Sequence, residues 1–259
     1  MPSMNNDDLT YSLDPVLWSR EVLGFYPDPW QADLLRSRSK KILLNCSRQS
    51  GKSTTAAALA LHESVYRHPS FVLIFAPSQD QSAELMLKFD EFRSGIDLPS
   101  NYLEDTKLAV RFQNGNRVVC RPGSEKSARS FSAVTLLLED EGSRVMDDLY
   151  NSIRPMLAVS NGRHIIMSTP FGRRGHFWKI WDTERDLWQW FSVPAEMCPR
   201  ISKEFLEEER RTNVWFEQEY HCKFMENVDG VFTYDEVSGM LSSDIGVLDL
   251  EGVSEWNTS

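Results

Sequence analysis

An α/β fold with a mainly parallel central sheet flanked by helices is what this 259-residue sequence predicts. Three observations lead there. Continuous apolar runs at Ile42-Leu43-Leu44, Phe71 to Ala76, Val134 to Leu138 and His164 to Met167 read as strands buried on both faces, the mark of parallel sheets. Helical patterns lie between them, as βαβ crossovers require. Each run ends in polar residues at its C-terminal edge, where open α/β sheets place their ligands.

Taken in order, residues 1–13 read as a flexible arm. Asp14 caps, and Pro15 opens, a short helix that ends near Gly24. A Pro-rich stretch from Phe25 leads into a helix beginning at Trp30 and leaves Gln31 near its N-terminus. A Gln amide there can pair with N6 and N7 of adenine, or it can cap the helix or face solvent. Beyond Pro77-Ser78, Gln81 to Arg93 reads as helix, and Lys107 to Arg121, alternating on each side of Asn114-Gly115, as a β-hairpin inserted between the main strands. Asp186 to Val193 adds a strand, Ser202 to Thr212 a charged helix, and Trp215 to Phe224 further helix. The expected division is an arm (1–13), a core (14–200), a small helical C-terminal appendage serving as linker or lid (201–237) and an acidic mobile tail (238–259).

Composition narrows the classes. A hydrophobic share of 41% with 25% charged residues is that of a folded globular chain. No apolar run approaches the ~20 residues of a membrane span, and the polar N-terminus is unlike a signal peptide, so a cytosolic location is expected. Cys46, Cys120, Cys198 and Cys222 lie too far apart for a zinc motif or a disulfide framework. Residues 1–200 carry 24 acidic and 24 basic side chains and residues 201–259 carry 14 and 4, so the net charge of −10 belongs to the C-terminal part. That balance argues against tight phosphate-backbone binding by a free monomer and leaves assembly-dependent DNA contact open.

The chemistry centres on Asn45-Cys46-Ser47-Arg48-Gln49-Ser50-Gly51-Lys52-Ser53-Thr54, which follows one buried strand and opens a helix. Gly51, Lys52 and Ser53 match the end of the phosphate-loop pattern, while Cys46 stands at its first Gly. In that pattern backbone N–H groups cradle phosphate, the Lys reaches the β/γ-phosphates and the hydroxyl holds Mg²⁺. Ser47, Gln49, Ser50, Gly51, Lys52, Ser53 and Thr54 are the predicted binding set. The acidic triplet Glu139-Asp140-Glu141 ends the third strand with an ambiguous register; we assign Asp140 to Mg²⁺ and Glu141 to the general base. Ser168-Thr169-Pro170, after the fourth strand, is placed to report hydrolysis to moving parts. Arg48 within the loop and Arg129 before the acidic strand are the two candidates for stabilising charge on a transferring phosphoryl.

In this order these residues resemble the ATPase domain of the large terminase subunit of tailed bacteriophages. The resemblance rests on Pro27 to Gln31, Ser47 to Ser53, Ala76-Pro77-Ser78 with Gln81, Pro122-Gly123-Ser124, Arg129 to Val134, Asp140-Glu141 and Ser168-Thr169-Pro170, and on the segment Trp215 to Phe224. The Arg48-Gln49 pair is similar to the variant this family uses in place of the first Gly. It implies an additional-strand, RecA-like P-loop NTPase that uses ATP and Mg²⁺ to drive double-stranded DNA into a procapsid. It also implies a homo-oligomeric ring in the host cytoplasm, transiently at the portal vertex, with the portal protein and the small terminase subunit as partners. By the same resemblance Gln31 reads adenine, Ser168 and Thr169 couple hydrolysis to movement, and Arg129 acts between subunits, although Ser130 replaces the family's usual Gly.

Complete members of that family continue into a nuclease, and the residues near Ser259 are too few to build one. The expectation is therefore an isolated ATPase domain, a nuclease encoded elsewhere, or a remnant, with no nuclease activity from this chain alone. A helicase would need a second nucleotide-binding core, for which the 89 residues after Pro170 show no motif. A non-hydrolysing ATP-binding assembly module is the rival from another class, and the Asp140-Glu141 pair argues against it.

Overall fold

The computed structural model describes residues 6–96, 102–122 and 131–226. Met1–Met225 form one compact unit; of the second, which begins at Glu226, only that first residue is described. The strands are β1 (Lys41–Cys46), β2 (Phe71–Ala76), β3 (Tyr102–Thr106), β4 (Ala109–Phe112), β5 (Arg117–Pro122), β6 (Leu136–Asp140), β7 (Arg163–Ser168) and β8 (Gln189–Val193). They form one eight-stranded sheet in the order β3-β4-β5-β2-β6-β7-β1-β8. From β5 to β8 all neighbours run parallel, while β4 is antiparallel to both β5 and β3.

Alternation along the buried strands assigns each face a layer. Ile42, Leu44, Ile74, Leu138, Ile165 and Met167 face the helices α2 (Pro15–Glu21), α3 (Pro29–Arg36), α4 (Lys52–Tyr66) and α5 (Gln79–Ser94). On the other face Leu73, Phe75 and Leu137 pack with α6 (Asp147–Ile153), and Leu43 and Ile166 with α7 (Gly175–Thr183). Small side chains such as Ala56, Ala57 and Ala60 let α4 lie close beneath the sheet, and residues Thr55 to Ser64 of this helix are all buried. Asp14 caps α2 as the sequence suggests, accepting from the Val16 and Leu17 amides, and Ser78 caps α5 by accepting from that of Gln81.

Register decides where the loops meet. Asn45 is level with Ser168, and Asp140 with Met167, so β1, β6 and β7 end together and the segments after them converge on one edge. Gly162 sets the other end of β7, because a Cβ there would lie 2.2 Å from the Val134 carbonyl oxygen and 2.8 Å from Leu157 Cδ2.

Several expectations change. Of the arm, residues 6–13 are a helix, α1 (Asn6–Leu13), whose Tyr11 carbonyl meets His62 Nε2 at 2.9 Å and whose hydroxyl donates to Glu21. The hairpin around Asn114-Gly115 exists, with Gly115 at φ +87, but it is no separate insertion: β5 pairs in parallel with β2 and extends the main sheet. Within Trp215 to Phe224 only α9 (Phe216–Glu219) is helical; the chain then turns at Cys222, at φ +59, whose carbonyl accepts from Asn45 Nδ2 at the end of β1. Phe216 and Tyr220 pack on Ala195 and Ile201, so the compact unit runs through residue 200 and includes α8 (Lys203–Thr212). The tail at 238–259 lies outside the described residues.

Substituting Gly162→Ala should push β7 from its neighbours and cost about 1–3 kcal/mol, read as a lower urea midpoint with an unchanged slope.

Candidate active site

The loop after β1 is folded by two left-handed residues, Gln49 at φ +57 and Gly51 at φ +90. Its start is tied down by backbone bonds from Ser47 N to Val193 O and from Arg48 N to Glu219 O, both 2.9 Å. Gly51 is required by space as well as by φ, since a Cβ would lie 2.8 Å from Gln31 Nε2 and 3.3 Å from an Arg200 guanidinium nitrogen. Cys46 is still part of β1, fully buried, and burial pushes its thiol up to about 12. It is therefore strand core rather than a loop residue. The loop and the N-terminus of α4 line a cleft of about 1080 Å³ with Glu141, Thr169 and Pro170, and Arg48 to Thr54 all contribute to its wall. Exposed amides at a helix start favour anions.

Opposite the loop the register of the acidic triplet is resolved by alternation. Glu139 shares the Leu137 face and is fully buried between His164 Nε2 at 3.1 Å and His176 Nε2 at 2.6 Å. Asp140 points the other way, toward α4, and Glu141 leaves the sheet at φ +51. Lys52 Nζ pairs with Glu141 Oε1 at 2.8 Å, and Ser168 Oγ donates to Glu141 Oε2 at 3.2 Å. Ser143 completes the junction: its hydroxyl lies 2.7 Å from that of Ser168 and donates to the Thr169 carbonyl. Burial, then the Glu141 charge, pushes Asp140 up to about 6 against the pull of Lys52. For Lys52 burial acts downward, but Glu141 and Asp140 outweigh it and its value is raised. A hydroxyl at Ser53 and a carboxylate at Asp140 are hard oxygen donors of the kind Mg²⁺ takes, beside a cluster whose negative charge calls for a cation. The residues present fit that ion.

A family model described as "Terminase large subunit, T4likevirus-type, N-terminal" matches residues 43–238. The chain belongs to that family. The curated terminase large subunits of Thermus phage G20c and Thermus virus P23-45 are 24% and 23% identical to it over 252 residues, covering 82% of this chain and 52% of each relative. The chain thus spans about half the length of the curated relatives it matches. Among solved structures, the Thermus phage P74-26 large terminase ATPase domain is similar at a TM-score of 0.69 and 22% identity, over 82% of this chain and all of that one. The large terminase of bacteriophage HK97 gives 0.68 at 15% identity, over 83% of this chain and 56% of that one. Both likenesses are of fold: the RecA-like P-loop arrangement.

In this terminase chain two of the predicted residues have protein partners of their own. Gln31 is 1% exposed, its amide oxygen accepts from the Asp28 amide at 2.8 Å, and its Nε2 backs Gly51. Its oxygen thus takes part in the helix cap while its nitrogen faces the phosphate loop. Arg48 lines the cleft, yet its Nε lies 3.2 Å from Glu219 Oε1. Arg129 lies outside the described residues.

Other residues of the cleft carry no motif. Arg200 binds Asp28 through both nitrogens, at 3.0 and 2.7 Å, and the Ser50 carbonyl at 3.1 Å. Lys88 from α5, Phe205 from α8 and Arg144 also line the wall. Arg144 alone offered a sequence signal, three places after Glu141.

The Glu139 cluster sets a pH window for this fold. Burial raises the carboxyl, but the His176 charge and bonds from both imidazoles hold it near 2, so its contribution is present above the ordinary carboxylate range and lost as pH falls through about 2. Burial lowers His176 and Glu139 raises it further, so its contribution is full below about 6.5 and is lost as pH rises through the raised folded value. Glu139→Gln should cost about 3–5 kcal/mol at pH 6 and weaken the loss of stability as pH rises above about 6.5, measured by urea unfolding at each pH.

Proposed function

We propose that this chain hydrolyses ATP to drive double-stranded DNA into a procapsid, as the motor domain of a terminase large subunit. One observation carries the chemistry: the Glu141 carboxylate is held between Lys52 and Ser168, at the edge of the phosphate-loop cleft. A carboxylate fixed there can orient a water and accept its proton, while Lys52 and the loop amides hold the phosphates. Ser53 and Asp140 would hold Mg²⁺, which would draw charge from the β- and γ-phosphate oxygens. A large terminase from a thermophilic bacteriophage, similar at a TM-score of 0.62 and 11% identity over 77% of this chain and 54% of that one, was solved in complex with ADP, which supports a nucleotide in this cleft.

Coupling runs through the same contacts. Ser168 touches the base directly, and Ser143 ties it to the Thr169 carbonyl, so a shift of Glu141 moves the turn after β7. A homo-oligomeric ring at the portal vertex, in the host cytoplasm, with DNA, portal protein and small subunit as partners, is the setting we assign to it. No helix among the described residues is long and apolar enough to cross a membrane.

Glu141→Gln should retain ATP binding and lose turnover by about 10²–10⁴-fold, assayed as phosphate release with Mg²⁺, DNA and portal protein. Equal, negligible rates in wild type and variant would instead favour a non-hydrolysing ATP-binding module.

A further inference from the structure

Phosphoryl transfer needs a cation placed where charge gathers on the γ-phosphate, and three described arginines line the cleft. Two are engaged. Arg48 is held through its backbone and its Nε by Glu219, and Arg200 by Asp28 and the Ser50 carbonyl. The Arg144 side chain makes no hydrogen bond or ion pair among the described residues. Its guanidinium lies 4.0 Å over the Phe171 ring, which Arg174 also approaches, at 4.6 Å.

The backbone puts Arg144 close to the reacting groups. It ends the single 3₁₀ turn Gly142–Arg144, and its amide donates to the Glu141 carbonyl at 2.8 Å. A 3₁₀ turn rises about 2 Å per residue, so the two α-carbons are roughly 6 Å apart along its axis, within the length of an extended arginine. The contact with Phe171 is made through the ring's π-face and uses none of the guanidinium's N–H donors. Phe171 directly follows Ser168-Thr169-Pro170, so the shelf belongs to the coupling turn.

We propose that Arg144 contacts the γ-phosphate of a bound nucleoside triphosphate from within its own subunit, with Phe171 as the shelf on which its guanidinium rests. The assignment rests on reading the cleft as a nucleotide site. It makes Arg144 a phosphate-binding catalytic residue and leaves Arg48 as a brace between the loop and the Glu219 segment. Lys88 lines the same cleft, but an ammonium lacks the planar fork that grips two phosphate oxygens at once.

The test compares ATP-γ-S and ADP as competitors of a fluorescent adenine nucleotide, on the full chain with Mg²⁺, alongside steady-state hydrolysis. Wild type should bind ATP-γ-S more tightly than ADP. Arg144→Ala should cut that preference by about tenfold or more and lower kcat by about 10²-fold with ADP affinity unchanged. Arg144→Lys should fall between, and added guanidinium should restore part of the Arg144→Ala rate. Arg48→Ala should keep the preference for the triphosphate. An Arg144→Ala chain that discriminates within twofold of wild type overturns the inference while nucleotide binding stands, as does a preference lost in Arg48→Ala and kept in Arg144→Ala. A wild-type chain that binds neither nucleotide overturns both this inference and the nucleotide reading beneath it.

Discussion

Side-chain alternation along one fully buried strand is the constraint on which this site depends. β6 lies in the middle of the sheet with both faces covered, so consecutive residues at its end must point to opposite layers. A carboxylate at Glu139 is then forced into the α6 and α7 layer, where it survives only because two imidazoles are bonded to it. The same step turns Asp140 toward α4 and the phosphate loop, where burial beside Glu141 leaves it needing positive charge. One strand thus supplies an imidazole-paired anion to one layer and a carboxyl beside Lys52 and Glu141 to the other.

The Glu139 cluster does more than satisfy a buried charge. His164 lies on β7 and His176 on α7, and His176 also meets Asp147 at the start of α6. Tyr150 stacks on His176 with ring centroids 4.2 Å apart. The elements on either side of the turn at Ser168 to Phe171 are therefore pinned to the strand that carries Asp140. The short segment between the two anchors carries the Ser168 contact to Glu141.

The phosphate loop is assembled on a comparable principle from parts far apart in the chain. Gly51 sits against Gln31 and Arg200, and Arg200 is itself clamped by Asp28, so α3 and the segment before α8 together support the loop from behind. Val193 and Glu219 hold its first residues by backbone bonds. The segment that carries Gln218 and Glu219 is in this way part of the cleft wall rather than an addition to it.

The sequence alone determined the parallel sheet, the phosphate loop, the acidic strand end and the Ser-Thr-Pro turn, because each is a local pattern: apolar runs long enough for a strand, or polar residues at fixed spacing. It did not decide the register of Glu139, Asp140 and Glu141, since three adjacent carboxylates look alike until the two sheet faces are known. Nor did it show that the Gln31 oxygen accepts from the Asp28 amide, which only the folded helix start reveals. It took residues 6–13 for an arm, because eight residues show too little periodicity to reveal a helix that docks on His62. Arg200, Lys88 and Phe205 left no trace in it, for a cleft wall is composed by tertiary packing of distant segments. The arginine at position 48 was legible as a loop residue, but its partner Glu219 was not, and that pairing leaves Arg144 as the described arginine without an anionic partner at the cleft.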